Sequence, residues 1–232
     1  VGVVFAQQPV IRVEDTFGNL VTTDNSTVVT ATRNVGTGVL QGTITLTAAG
    51  GLVTYANLRH NVADTISIQF TSVPILTPAT SNSIIVSNSG AVKLVFVQQP
   101  TNTASGVAIA PAPTVQLQDS FNNIVNTANI SVLMTMTTGT GALSGTTTQL
   151  TSATGLATFS NLSIDVVGSK RFTASATGLT SAVSNAFLIN AGAPSTVVPT
   201  SGTPQSALVN TAFTTTFKAT VRDAAGNLIT GA

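Results

Sequence analysis

The stretch VEDTFGNLV (13–21) occurs in this chain three times, with small changes. LQDSFNNIV occupies 117–125 and VRDAAGNLI occupies 221–229. The aspartate of each copy lies 104 residues after the aspartate of the copy before it (119 − 15 and 223 − 119). A constant spacing of this length predicts tandem copies of one domain.

Other segments recur in the same order. One of them, GLVTYANL (51–58), matches GLATFSNL (155–162), again 104 residues further on (155 − 51). Two more pairs are VVFAQQP (3–9) with LVFVQQP (94–100), and SNSIIV (81–86) with SNAFLI (184–189). We therefore predict domains at 1–91 and 92–192, followed by the N-terminal half of a third domain at 193–232.

The first copy is shorter near its start. Pro9 precedes Asp15 by 6 residues (15 − 9), whereas Pro100 precedes Asp119 by 19 (119 − 100). On this alignment the first copy lacks 13 residues, which correspond to TNTASGVAIAPAP (101–113). Either its first strand region is shortened or the sequence skips a segment, and both remain open. We expect the chain to be a window onto a longer protein.

Alternation of apolar and polar residues predicts strands throughout the second copy. In PTVQLQD (113–119), Val115 and Leu117 are expected to face inward while Gln116 and Gln118 face outward. About seven such segments, separated by turn residues and without helical periodicity, are typical of a β-sandwich. The predicted fold is all-β, with tandem immunoglobulin-like sandwiches of about seven strands each.

Composition narrows the function classes. Only 6% of the residues are charged and the net charge is +1, against about 25% charged residues in an average soluble protein. No basic or acidic field is present to attract nucleic acid or an anionic membrane surface. No apolar run approaches the roughly 18–20 residues needed to span a bilayer. We expect neither nucleic acid binding nor a membrane span.

The patterns VxDxxGN, TxxxGxATFxxL and SNAFxI resemble bacterial Ig-like domains. These are the tandem modules of invasin- and intimin-like adhesins and of other long secreted surface proteins. The resemblance implies an extracellular or cell-surface location in a bacterium and a non-catalytic stalk or spacer role. The implied partners are neighbouring repeats of the same chain. Alternatives are a module that binds a glycan or protein on another cell, and a non-catalytic domain of a secreted enzyme.

The repeated turn has two interpretations. The structural one assigns a strand-ending turn to Asp15 with Asn19, Asp119 with Asn123, and Asp223 with Asn227. In such a turn the carboxylate accepts the N–H two residues on, and Gly18, Asn122 or Gly226 adopts positive φ. The alternative is Ca²⁺, which needs six to eight oxygens. Only the first copy offers several carboxylates for it: Glu14, Asp15 and Asp24.

No catalytic constellation is recognisable. His60 is the single histidine and there is no cysteine, so a triad or a zinc site lacks partners. Lys170 and Arg171 form a small basic spot, expected to be a solvated strand start. We predict a protein that is not an enzyme, with no catalytic residues and no cofactor.

The third copy ends after its first strands. Half a sandwich would expose an inner face carrying Phe213, Phe217, Ala219 and Val221, together with a sheet edge. Either the domain is cut at this point, or a neighbouring molecule donates a strand. The low charge also permits close lateral packing, so homotypic association into fibres or layers is a further expectation.

Overall fold

The computed structural model describes residues 1–230, which form twenty β-strands. Within that range no helix is long and apolar enough to cross a membrane. The chain divides into two compact units. One contains Val1–Ala91 together with Gln118–Ile124, and the other contains Val92–Leu117 and the residues from Val125 onward.

The first repeat has two sheets. Its strands are β1 (Val10–Arg12), β2 (Val28–Val35), β3 (Thr45–Thr47), β4 (Leu52–Thr54), β5 (Asp64–Val73), β6 (Ala79–Thr80) and β7 (Ile84–Val86). β1 pairs antiparallel with β4, and the second sheet has the order β3-β2-β5-β6, with β7 also paired to β5. Side chains alternate across a strand, and in β2 this buries Val29 and Ala31.

Both sheets contribute to one buried core in the first repeat. Val53 and Tyr55 from the β1–β4 side pack in the same cluster as Val29, Ala31 and Phe70 from the other sheet. The Tyr55 hydroxyl donates to the carbonyl of Val29 at 3.0 Å, and its ring lies 5.6 Å from that of Phe70. Burial raises the pKa of Tyr55 to about 12. The phenol therefore joins the two layers as a neutral donor.

The second repeat has the same plan with more strands. They are β8 (Lys93–Gln98), β9 (Thr103–Ala104), β10 (Thr114–Gln118), β11 (Ser131–Thr138), β12 (Leu143–Ser144), β13 (Thr148–Leu150), β14 (Leu156–Thr158), β15 (Ser163–Ile164), β16 (Gly168–Ser175), β17 (Ala182–Val183) and β18 (Phe187–Asn190). The sheet orders are β14-β10-β8 and β13-β11-β16-β18-β9, with β17 on β16 and a separate β12–β15 pair.

The predicted all-β sandwich is confirmed, and most of its strand phase is right. Val115 and Leu117 of β10 are fully buried, as expected. Gln116, predicted to face solvent, is buried instead. Its side-chain amide donates to the carbonyl of Thr154 at 2.8 Å, so the loop before β14 covers this face of the strand and satisfies the buried amide.

The third segment contributes two strands, β19 (Pro194–Ser201) and β20 (Lys218–Asp223), which pair antiparallel. The rings of Phe213 and Phe217 contact each other at 5.1 Å and stay half exposed. The division at 1–91, 92–192 and 193–232 stays a prediction, and residues 231–232 of its last domain lie outside the described residues.

Main-chain hydrogen bonds correct the alignment of the first repeat. Its bonds Gly2 N–His60 O, Phe5 N–Leu58 O and Tyr55 N–Pro9 O recur in the second repeat as Gly106 N–Ile164 O, Ile109 N–Leu162 O and Phe159 N–Pro113 O. Every pair differs by 104 in number, as in 106 − 2 and 164 − 60.

Residues 1–9 therefore take the place of 105–113, and equating VVFAQQP with LVFVQQP is wrong. Both segments are apolar and end in QQP, so their letters agree although their places in the sandwich differ. The residues of the second repeat without a counterpart in the first are 92–104, which carry β8 and β9, and not 101–113.

Candidate functional site

The repeated turn has one local geometry in all three copies. Oδ1 of Asp119 accepts the N–H groups of Phe121 and Asn123, both at 2.9 Å, and the Asn123 amide donates to the same carboxylate. Asn122, between them, has a φ of 71°. Matching bonds form at Asp15 and Asp223, where Gly18 and Gly226 have positive φ. In a tight turn these N–H groups have no main-chain acceptor, and the aspartate carboxylate accepts their hydrogen bonds instead.

The turn of the second repeat binds a loop of the first. Nδ2 of Asn123 donates to the carbonyl of Asn61 at 2.9 Å. Oδ1 of Asn123 accepts the N–H of Ala63, also at 2.9 Å. A side-chain amide carries both a donor and an acceptor, so one asparagine satisfies a carbonyl and an N–H two residues apart. These contacts explain why 118–124 belongs to the first compact unit.

The same turn also binds the segment that follows β7. Oδ2 of Asp119 accepts the N–H of Ser89 at 3.1 Å. The Asn88 amide donates to the carbonyl of Ile124 at 2.7 Å. Within the first compact unit the turn therefore contacts two places, the loop at 61–63 and the segment at 88–89.

The turn of the third segment repeats this arrangement. Nδ2 of Asn227 donates to Asp165 O at 2.8 Å, and Oδ1 accepts the N–H of Val167 at 3.3 Å. Oδ2 of Asp223 accepts the N–H of Gly192 at 2.9 Å. These partners lie 104, 104 and 103 residues after the partners of the Asp119 turn (165 − 61, 167 − 63 and 192 − 89). The two arrangements are copies of one site.

We call each turn with its bound groups a clasp. The first clasp consists of Asp119 and Asn123 with the main chain of Asn61, Ala63 and Ser89. The second clasp consists of Asp223 and Asn227 with the main chain of Asp165, Val167 and Gly192.

The second clasp has one additional side chain, Ser105. Its hydroxyl donates to Oδ2 of Asp223 at 2.8 Å and lies 3.1 Å from Nδ2 of Asn227. By the 104-residue correspondence the first repeat has Val1 at this position, which cannot contribute a hydroxyl. The second clasp is therefore the more polar of the two.

An aromatic residue takes part only in the first clasp. The ring of Phe121 lies so close to Gly2 that a Cβ there would be 2.4 Å from its tip. In the second clasp the corresponding residues are Ala225 and Gly106, and a cavity of about 400 Å³ lies beside them. Ala225 brings no aromatic ring to this cavity.

Hydrogen bonding keeps the clasp carboxylates ionised. Burial acts to raise the pKa of Asp119, but donors led by the Asn123 amide outweigh it and lower the pKa below its ordinary value. The Asn227 amide, followed by the N–H of Gly192, lowers the pKa of Asp223. An ionised carboxylate is the stronger acceptor, so each clasp is strongest when its aspartate is charged.

The first of the three turns has the same form without a bound partner among residues 1–230. Asp15 and Asn19 are exposed, and their hydrogen bonds stay within the turn. The N–H of Asn19 is the main cause that lowers the pKa of Asp15. Phe17, the counterpart of Phe121, is 87% exposed, whereas Phe121 is 40% exposed.

The three acidic residues considered for calcium binding, Glu14, Asp15 and Asp24, each interact with different neighbours. Glu14 pairs with Arg12 at 3.2 Å, and Asp15 is occupied by its own turn. Bonds from the Thr27 hydroxyl and from the N–H groups of Ser26 and Thr27 lower the pKa of Asp24 to about 2. Over residues 1–230 no group of three or more His, Cys, Asp or Glu residues is arranged to hold a metal.

His60 and Lys170 are buried beneath equivalent loops. Nε2 of His60 lies 2.8 Å from Thr37 O. Nζ of Lys170 donates to Thr140 O at 2.6 Å and to Val167 O at 3.3 Å. The expectation of a solvated Lys170 is wrong, because these carbonyls replace water around its ammonium group. Its bond to Val167 supports the loop that the second clasp binds.

Sequence reasoning located the turns and missed what they bind. The partners at 61, 63, 89, 165, 167 and 192 contribute main-chain atoms, so their side chains leave no recognisable pattern. A usable signal was the asparagine that follows each aspartate by four residues. Its side-chain amide has hydrogen-bonding groups that the turn itself does not use.

No family model and no curated protein matches the chain. Among solved structures, invasin, a bacterial integrin-binding protein, is 19% identical with a TM-score of 0.40, covering 97% of this chain and 48% of that one. The Escherichia coli adhesin FdeC is 17% identical with a TM-score of 0.37, covering 94% of this chain and 68% of that one.

A β-glycosidase from Bacteroides vulgatus is 13% identical with a TM-score of 0.31, covering 70% of this chain and 21% of that one. The chain thus spans about half the length of the invasin structure.

Proposed function

We propose that this chain is a structural repeat segment of a bacterial cell-surface protein, acting as a spacer whose successive repeats are fastened by clasps. One observation carries the proposal. The turn of each later repeat binds the repeat before it through the same donor and acceptor positions, 104 residues apart. In a chain built in this way, each added repeat is hydrogen-bonded to the repeat before it.

The polar groups of the chain support a structural role. The carboxylates of Asp119 and Asp223 accept N–H groups of the repeat before them. The buried Lys170 is used to satisfy loop carbonyls. Catalysis would require such charged groups to be free in a cleft, whereas here they bind main-chain atoms of the fold.

The bacterial surface location rests on the sequence patterns. VxDxxGN, TxxxGxATFxxL and SNAFxI resemble the tandem modules of invasin- and intimin-like adhesins, which are secreted. The low charge, 6% of residues, supports lateral association of such segments into a fibre or layer, because little repulsion separates like surfaces. The half-exposed Phe213 and Phe217 supply apolar surface for strand donation from a neighbouring copy.

Surface display tests the spacer role. The 232-residue chain is inserted between a bacterial outer-membrane anchor and an epitope tag, and antibody access to the tag is compared with that in a fusion of anchor and tag alone. We expect the insert to improve access to the tag without promoting adhesion to host cells or to a glycan array. Adhesion that follows the insert would favour the alternative, a ligand-binding module. Unchanged access would count against a spacer.

Light scattering tests self-association. Strand donation predicts oligomers that grow with concentration and disappear when 193–232 is removed. A monomer at all concentrations would exclude it.

A further inference from the structure

We propose that the turn at Asp15, Phe17 and Asn19 is an open clasp, and that its partner is the far end of another repeat of this kind. The partner would present the groups that Asn61, Ala63 and Ser89 present to the first clasp. This inference rests on the proposed function and names the partner of that site.

The open turn is already in the binding geometry. Phe17 N and Asn19 N donate to Asp15 at 2.8 and 2.9 Å, and the corresponding bonds to Asp119 are both 2.9 Å. The Asn19 amide donates to Asp15 at 3.1 Å, as the Asn123 amide does to Asp119 at 3.0 Å. Little ordering is therefore required before the open turn binds a partner.

The open turn also carries the aromatic side chain of the first clasp. Phe17 is 87% exposed at the turn. Its counterpart Phe121 packs on Gly2, a glycine that the second repeat matches with Gly106. An exposed ring beside the exposed polar side chains of Asp15 and Asn19 is the composition of a small docking surface, in which the ring supplies burial and the polar atoms fix the position.

The partner is recognised by its backbone. Each clasp binds one carbonyl and two N–H groups from a loop and a following segment. Side chains at these places differ between the repeats: Asn61 and Ala63 in one, Asp165 and Val167 in the other. Any repeat that follows the same main-chain course therefore qualifies, and a peptide or sugar lacking that course does not.

The register of such a partner is fixed. Residues 1–9 correspond to 105–113, so an added copy of residues 1–104 placed directly before Val1 continues the repeat in phase. In that extended chain the turn at Asp15 follows the added copy at the same spacing at which the turn at Asp119 follows residues 1–91.

The test compares amide hydrogen exchange in the extended chain and in the original chain, each with and without Asn19→Ala. In the extended chain we expect this substitution to accelerate exchange of Ala63 in the added copy by about tenfold or more, because its N–H loses its acceptor. In the original chain Asn19→Ala should leave exchange at Ala63 unchanged.

Phe17→Ala supplies a second variant that keeps every turn hydrogen bond. It should lower the melting temperature of the extended chain by a few degrees more than that of the original chain. Equal effects of both substitutions in the two chains would overturn the open clasp. That result would leave the spacer role standing, because surface display measures it separately.

Discussion

The side-chain amide of Asn123 donates to the main-chain carbonyl of Asn61, 62 residues earlier in the chain, at 2.9 Å. The same amide accepts the N–H of Ala63, so one side chain joins a turn of the second repeat to a loop of the first. Asn227 does the same to Asp165 and Val167. The recurring asparagine thus binds a loop about 60 residues earlier in the chain as well as its own turn.

Acid should weaken the clasps. The pKa values of Asp119 and Asp223 are lowered in the folded protein relative to the ordinary value of 3.8. Each carboxylate therefore adds stability that is fully present above about pH 4 and is lost as the pH falls through the folded value. Urea unfolding between pH 6 and pH 2 should show stability falling below about pH 4.

Asp119→Asn should reduce that acid dependence, because an amide does not titrate, while Asp223 keeps its own contribution. Asp15→Asn is the matched control, since Asp15 accepts hydrogen bonds only within its own turn among residues 1–230. Asp119→Asn should also lower stability at pH 6 more than the control does. Identical pH profiles for the two variants would contradict the assigned role of Asp119.

Removing the aromatic ring from the first clasp and adding one to the second should change the free energy of unfolding in opposite directions. Phe121→Ala removes the ring that packs on Gly2 and should cost about 1–2 kcal/mol, part of the value of a fully buried phenylalanine. Ala225→Phe places a ring beside the cavity of about 400 Å³ in the second clasp. This substitution should raise the free energy of unfolding by about 1 kcal/mol. Chemical unfolding measures both, and a destabilising Ala225→Phe would show that the cavity does not accept a ring.

Two glycines with similar φ should differ sharply in tolerance. Gly18 (φ +83) has nothing within 4 Å of an added Cβ, so Gly18→Ala should cost only about 1 kcal/mol of left-handed strain. At Gly155 (φ +71) the Cβ would lie 2.0 Å from the carbonyl oxygen of Val125. Gly155→Ala should therefore cost about 2–4 kcal/mol. Equal melting temperatures for the two variants would refute this difference.

Calcium should have no effect on stability. Glu14 is paired with Arg12, while Asp15 and Asp24 accept hydrogen bonds from their own turns. Binding an ion would break those bonds without supplying the six to eight oxygens that Ca²⁺ prefers. Calorimetric titration should give no heat, and the melting temperature should stay constant. A rise in melting temperature that Asp24→Asn abolishes would establish a site.

The sequence was informative wherever a local pattern determines structure. Alternation located β10, and the Asp…Asn spacing located the turns, because both depend on neighbours within a few residues. The place of residues 1–9 could not be read in this way. An apolar segment ending in QQP suits a strand such as β8 as well as the irregular segment at 3–9. Only the main-chain hydrogen bonds of Gly2, Phe5 and Pro9 decide between the two positions.

The partners of the clasps were also beyond sequence reasoning. Ala63 and Val167 donate through main-chain N–H groups, which every residue except proline possesses. Lys170 looked solvated because buried lysines are rare, and its acceptors are again carbonyls of loops distant in sequence. Contacts made by the backbone of one loop become visible only in the folded chain.

Amide hydrogen exchange at Ala63, measured in the unmodified chain and in the Asn123→Ala and Asn19→Ala variants, tests the central claim most directly. Both asparagines donate to the aspartate of their own turn, but only Asn123 accepts the N–H of Ala63. We expect Asn123→Ala to accelerate exchange at Ala63 by about tenfold or more, while Asn19→Ala leaves it unchanged. Equal exchange rates in all three proteins would contradict the assignment of the Asp–Asn turn as the connector between repeats.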